Sequence, residues 1–396
     1  MNILAVIQRY HPIIGGSENL AKSHLDYLSV NHNVTVFTTT AKEIQSFWYK
    51  DSPRLQQNNN LDNNVKQFDF LVPTDIKYEK EQNSNFPFVN SYPGPFSPQL
   101  WNELLLKEIN YDLIYVTSFP HDHIIPAYIA AKKWNIPIII TPLMHQEFPE
   151  MYLTATKLTM LNSSDAIFVL SESEKKILIN QGIDNNKISM IKPALDIISD
   201  EKHDKDFSTV KKVVFIGSKS FVKGIIHLIE AMKKVWKNRN DVVLVLIGPD
   251  TIEFNEYFKK LPNKIQKKII DKNITSTKER NNILSSCDML VLPSKSESFG
   301  LVYFEAWLFE KPVIGCNVLP ISEIIEDKKN GLLVEFGNVK KLSDAINFLL
   351  DNPSICKKYG ANGLEKAKPY NSENNLKDFE KKCISIVENF KHKKYS

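Results

Sequence analysis

The chain has 396 residues, enough for two domains that each bury a core. Apolar residues make up 42% and charged residues 24%, a balance that excludes a disordered or fibrous protein. The net charge of +4 hides an asymmetry: residues 1–205 carry −5 (18 Lys/Arg against 23 Asp/Glu) and the remainder +9 (32 against 23). A cationic second half suits an anionic small molecule or a membrane surface, unless its lysines only solvate helix faces. No basic-aromatic interleaving points to nucleic acid.

The opening Asn2–Ile7 is apolar but short, without the charged start and cleavage site of a signal peptide, and reads as a buried first strand. Apolar runs such as Ile136–Ile140 and Val242–Ile247 fall far below the roughly 18 residues that span a bilayer. A cytoplasmic location is expected, with peripheral contact at the inner face of the membrane compatible with the basic half. The four cysteines (Cys287, Cys316, Cys356, Cys383) form no C-x-x-C pair, which argues for a reducing compartment.

Short apolar runs alternate with amphipathic stretches, the pattern of a parallel sheet with crossover helices. The first half offers strands at Ile3–Ile7, Val34–Thr38, Val65–Phe70, Leu113–Thr117, Ile136–Thr141, Ala166–Leu170 and Ile188–Ile191. A helix over Glu18–Leu28 puts His24 on its apolar stripe, as a packing or rim residue. Another over 172–181 starts at Ser171, a cap, with Glu174 three residues on. The irregular stretch Lys42–Trp101, with aromatics Phe47, Trp48, Tyr49, Phe86, Phe88, Tyr92 and Phe96, is either core or an acceptor- or lipid-facing surface. Residues 196–210 are polar and aperiodic, an expected linker. A second series follows: strand Val213–Ile216, helix Ile225 to Trp236, strands Val242–Ile247 and Met289–Leu292, helix Leu301–Phe309, strand Pro312–Gly315. Domains are expected at 1–195 and 211–370, with a final segment 371–396. Two Rossmann-like halves leave a cleft, and ligands sit beyond the carboxyl ends of such strands.

Four segments at those ends carry candidate chemistry. Gly15-Gly16 opens the first helix and is either a structural turn or a close approach to phosphate; it is not G-x-G-x-x-G, which disfavours a nicotinamide cofactor. The turn Gly217–Gly224 holds Lys219 and Lys223, suited to a diphosphate or else an exposed lysine loop. In Glu297–Ala306, Gly300 permits a tight turn and Leu301 opens a helix, so the amides of Ser298, Phe299, Gly300 and Leu301 are suited to phosphate oxygens. Glu297 reaches the sugar side. Glu305 lies one turn into an apolar helix, placed to accept from ribose hydroxyls, since an unpaired buried carboxylate is costly. His145 follows a strand and faces the cleft, unless it is a satisfied core histidine. His121 and His123 lack further ligands, and no metal is expected.

In this order and spacing, the segments resemble the retaining glycosyltransferase family 4, among the group 1 glycosyltransferases of GT-B fold. The most specific match is Pro293-Ser294 followed by Glu297-Ser298-Phe299-Gly300-Leu301 and Glu305-Ala306. Lys311–Gly315, Asn330–Val334 and Ser163–Lys175 extend it over nearly the whole chain. The resemblance implies an α/β fold of two Rossmann-like domains facing each other across a cleft, with the C-terminal helix crossing back to the first. It also implies a hexosyltransferase of polysaccharide biosynthesis, with a nucleotide-sugar donor, a glycan or lipid-linked acceptor and no metal cofactor. Gly15, Gly16, Gly217 and Lys223 would meet the phosphates, Glu297 the sugar and Glu305 the ribose, and His145 would support the transition state. Ser218 departs from the pattern, standing where the family has arginine; Lys219 is the nearest cation to compensate. An impaired member serving as a partner subunit is the competing reading.

Overall fold

In a computed structural model, the structure describes residues 1–47, 53–56, 64–71, 96–107, 110–119, 121–195, 210–273, 276–370 and 373–395. The linker positions 196–209, the aromatics Trp48, Tyr49, Phe86, Phe88 and Tyr92, and Pro93-Gly94-Pro95 lie outside the described residues. The chain divides into two compact units, Met1–Ala194 with Glu373–Ser396, and Leu195–Ser372.

In the first unit seven parallel strands run β1 (Asn2–Val6), β2 (Asn33–Thr39), β3 (Val65–Phe68), β4 (Leu113–Thr117), β5 (Ile138–Thr141), β6 (Ala166–Val169) and β7 (Ile188–Met190). Their order is β3-β2-β1-β4-β5-β6-β7, and every neighbouring pair is parallel. Parallel pairing requires helical crossovers that cover both faces, so β4 and β5 are buried at every residue. All seven strands stand where apolar runs foretold them. The Ser171 cap also forms: its hydroxyl accepts from the Glu174 amide at 3.2 Å.

The second unit repeats the plan with β8 (Lys211–Ile216), β9 (Val242–Ile247), β10 (Ile269–Asp271), β11 (Met289–Leu292), β12 (Val313–Cys316) and β13 (Gly331–Val334), ordered β10-β9-β8-β11-β12-β13. Strand β10 was not foreseen, because only its first residue is buried. In both sheets the order reverses beside the first strand, between β1 and β4 and between β8 and β11. Loops leaving such a pair diverge and open a crevice at the carboxyl edge, where ligands of this architecture bind.

The helix Glu373–Tyr395 belongs to the first unit, as the resemblance implies. Phe379 meets Tyr115 and Phe168 edge-on at 5.4 and 5.5 Å and stacks flat on His24 at 4.0 Å. Asn375 Nδ2 donates to the Pro193 carbonyl at 3.3 Å. Lys391 pairs with Asp112 at 3.2 Å. His24 is therefore a packing residue. It is fully buried, and neither ring nitrogen has a hydrogen-bond partner among the described residues.

Burial lowers the His24 pKa to about 3, so its ring stays neutral in the folded chain, whereas the unfolded chain takes up a proton near 6.5. The stability held by this neutral ring is present above about pH 6.5 and is lost as pH falls toward the folded value. At about 1.4 kcal/mol per pKa unit, roughly 2 kcal/mol disappears by about pH 5. His24→Phe keeps the stack and removes the proton site. Thermal melts from pH 7 to 5 should show a shallower loss in the variant; parallel slopes would contradict the assignment.

Candidate active site

The second unit's crevice is built by two turns. After β8 the chain passes through Gly217–Gly224 into the helix Ile225–Asn238; after β11 it passes through Pro293–Gly300 into the helix Leu301–Leu308. Backbone bonds hold the turns together. Lys295 N–H donates to the Val222 carbonyl at 2.7 Å, and Ser294 Oγ donates to the same carbonyl at 3.3 Å. Gly224 sits at φ +75, and a β-carbon there would come within 2.1 Å of the Pro293 carbonyl oxygen. Only glycine allows that approach.

Across this junction Lys223 Nζ pairs with Glu297 Oε1 at 2.8 Å and reaches the Ser296 carbonyl at 3.4 Å. Both side chains are mostly buried, 20% and 11% exposed. An ammonium carries three protons, so Lys223 can hold Glu297 and still donate to an anion.

Immediately beyond, Gly300 takes φ +90 and caps the next helix without any side-chain acceptor. The first main-chain bond of this turn is Tyr303 N–H to the Gly300 carbonyl, at 3.1 Å. Among the described residues, the amides of Ser298, Phe299, Gly300 and Leu301 have no acceptor. A helix start of this kind concentrates unsatisfied N–H donors and the positive end of the peptide dipoles. The Phe299 ring takes no part: it stacks on Phe304 at 5.2 Å and is buried.

Glu305 lies one turn into that helix, and its partner went unrecognised in the sequence. Arg280 Nη1 pairs with Glu305 Oε1 at 3.2 Å, both side chains being nearly buried. Arg280 stands on the helix Thr277–Ser286, in a polar stretch whose composition gave no strand or helix signal. Glu305 Oε2 has no partner among the described residues. The carboxylate is thus oriented through one oxygen, with the other left to accept.

Lys219 must be corrected. It is completely buried, paired with Asp250 and Asp271, and its ammonium lies 5.3 Å from the centre of the Phe254 ring. Its partners follow β9 and end β10, so Lys219 ties the carboxyl ends of neighbouring strands together. Its charge is already neutralised, so it cannot stand in for arginine at position 218. Ser218 Oγ lies 3.4 Å from Ser220 Oγ, and Gly217 follows β8 at φ +155.

In the first unit, Gly15 and Gly16 begin the helix Gly16–Ser29 after β1. Beside them the buried Glu18 pairs with Arg9 at 2.5 Å and accepts from Ser17 Oγ at 2.8 Å. His145 lies in the turn after β5, at the same carboxyl edge. Glu174, fully buried, accepts from the Met144 amide at 3.0 Å and the Leu170 amide at 3.1 Å. Burial pushes its carboxyl up to about 7, and the amide bonds pull the other way. At the reversal between β1 and β4, Gln8 Oε1, Thr117 Oγ1 and Ser118 Oγ are buried without hydrogen-bond partners among the described residues. Ser118 also holds a left-handed φ of +64. Buried polar atoms are rarely left unpaired, and they mark places that take water or ligand. The H-D-H residues serve packing: His123 Nε2 meets the Thr117 carbonyl at 2.8 Å, and Asp122 accepts from Trp101 Nε1 at 2.8 Å.

Two family models match end to end. Residues 14–198 match the model described as Glycosyltransferase Family 4, and residues 198–366 that described as Glycosyl transferases group 1. The chain belongs to the group 1 glycosyltransferases. The N-acetyl-alpha-D-glucosaminyl L-malate synthase of Bacillus anthracis is 25% identical to this glycosyltransferase over 344 residues, 80% of this chain and 86% of that one. An uncharacterised 41.2 kDa protein from the cps region of Klebsiella pneumoniae is 26% identical over 289 residues, 67% and 78% of the two chains. Among solved structures, HepE of Anabaena in complex with UDP superposes with a TM-score of 0.72 at 18% identity, covering 97% of this chain and 100% of that one. Among the described residues no helix is long and apolar enough to cross a membrane.

The two lysines of the 217–224 turn should separate cleanly on substitution. Lys219→Ala leaves two carboxylates facing each other and empties a buried volume, at a cost of about 3 kcal/mol. Lys223→Ala removes one partner of a single, mostly buried pair and should cost about half as much, roughly 1.5 kcal/mol. Denaturant melts of both variants check this; equal losses would refute the division of roles.

Proposed function

We propose that the chain is a retaining hexosyltransferase that takes a sugar from a nucleoside-diphosphate donor and passes it to a hydroxyl of a glycan or lipid-linked acceptor. The observation that carries this reading is the pairing of Lys223 and Glu297 beside a helix start whose amides lack acceptors. The relatives support it: the Anabaena protein was solved with UDP, and the Klebsiella relative comes from the cps region.

Breaking the bond between the anomeric carbon and phosphate places negative charge on the leaving diphosphate and positive charge on the sugar. The amides of Ser298–Leu301 and the Lys223 ammonium face the first of these, fixed in place before reaction. At an effective dielectric of 20, a cation about 4 Å from a phosphate charge contributes roughly 4 kcal/mol. Glu297 accepts from the donor sugar's hydroxyls. Glu305, held by Arg280, accepts from the ribose diol through its second oxygen. His145 supports the developing cationic sugar through its ring or backbone, and an α-linked donor gives an α-linked product. The unpaired Gln8, Thr117 and Ser118 atoms offer neutral polar partners to an acceptor's hydroxyls. Phosphate charge is balanced by lysine and amides in this scheme, with no call for a divalent ion.

Purified protein should release nucleoside diphosphate from one member of a nucleotide-sugar panel when given a suitable acceptor. Glu305→Ala should weaken donor binding at least roughly tenfold. Glu297→Ala and His145→Ala should lower kcat roughly 10²-fold. Unchanged activity in all three variants would sink the assignment. If no donor at millimolar concentration raises the melting temperature, Ser218 marks a chain that has lost donor affinity, and the partner-subunit reading replaces this one.

A further inference from the structure

The turn that carries His145 makes one backbone bond of its own, Phe148 N–H to the His145 carbonyl at 3.0 Å. It leaves β5 at Thr141, and Leu143 adopts a left-handed φ of +54, a conformation costly for a branched side chain. Such strain persists only where surrounding structure enforces it. Here the enforcement comes from one buried carboxylate on the next helix, Glu172–Asn180. Glu174 Oε1 accepts from Met144 N–H at 3.0 Å. Its other oxygen accepts from Leu170 N–H at 3.1 Å, at the end of β6. The same carboxylate therefore locks the β5 turn to the neighbouring strand end.

Two further ties flank His145. Gln146 Nε2 donates to Ser173 Oγ at 2.7 Å and Ser171 Oγ at 3.2 Å, both on the approach to Glu174. Tyr152, buried, bonds to the His145 backbone. The residues on either side of the histidine are thus fixed to one helix start, Met144 by the fully buried Glu174 carboxylate and Gln146 by the two serine hydroxyls.

We infer that Glu174 is a positioning residue for the transfer reaction, setting the place of His145 through the amide of Met144. This rests on the proposed role of His145 and adds the group that enforces its geometry. Glu174 touches neither donor nor acceptor. A glutamine in its place keeps the shape but turns an NH2 group toward one of the backbone N–H donors, so one anchor is lost.

The test uses the full chain in four forms: wild type, Glu174→Gln, His145→Ala and the double variant. With the donor found in the panel, Glu174→Gln should lower kcat at least tenfold while donor KM and UDP affinity by calorimetry stay within twofold. The double variant should be no slower than His145→Ala alone, because both changes remove the same contribution. A separate readout needs no turnover. In histidine-labelled NMR spectra, Glu174→Gln should shift the His145 ring signal and leave those of His24 and His123 in place. Wild-type kcat and an unmoved His145 signal in Glu174→Gln would overturn the inference. So would a double variant tenfold slower than His145→Ala. If His145→Ala itself retains full turnover, the role given to His145 fails instead, and the NMR shift alone then decides whether Glu174 holds the turn. Should Glu174→Gln fail to fold, Gln146→Ala removes a single flanking tie; it should lower kcat at least threefold at constant KM, and no change would count against the proposal.

Discussion

A helix that starts at a left-handed glycine, with no capping side chain, leaves its first amides without acceptors, and here this happens at Gly300. Strand β11 fixes the direction of approach, and the Tyr303 hydroxyl fastens the helix to that strand by donating to the Leu292 carbonyl at 2.7 Å. Gly224 lets the neighbouring turn come close enough for Lys223 to arrive beside the same amides. The two turns bring one cation and a row of N–H dipoles to one place without using a charge from elsewhere in the fold. The proposed chemistry depends on that convergence, because a leaving diphosphate needs fixed positive potential and little else.

Charge count alone misleads about where that potential is. The 217–224 turn carries two lysines, yet they belong to different economies of the molecule. Lys219 is spent on Asp250 and Asp271, holding strand ends in register, whereas Lys223 lies at the junction with a partly exposed ammonium. Arg280 shows the converse: a cation from a segment with no recognised element orients Glu305. Ser218 contributes a hydroxyl in place of the fixed fork of an arginine, so in the proposed scheme the phosphate side relies more heavily on Lys223 and the amides.

The central strands were legible in the sequence because parallel strands buried on both faces read as apolar runs, as β4, β5 and β6 do. The Ser171 cap was legible because it depends on a local spacing. So was the 297–305 segment, whose glycine, acidic residues and apolar helix lie within nine positions. What stayed hidden was tertiary. Strand β10 buries too little to leave an apolar run, and the helix carrying Arg280 is polar along most of its length. Whether a lysine points into a sheet edge or toward a ligand depends on residues thirty to fifty positions away, as Asp250 and Asp271 are from Lys219. Glu174 was read as half of a helix cap; that its carboxylate reaches the turn before His145 could be learned only from the fold.

The most direct measurement of the central claim is amide hydrogen exchange with and without the nucleoside diphosphate of the donor found in the panel. The account predicts that saturating nucleoside diphosphate slows exchange in the peptide spanning 298–301 and leaves the strand ends tied by Lys219 unchanged. Exchange at 298–301 that is indifferent to the bound nucleotide would contradict the diphosphate cradle on which the account rests.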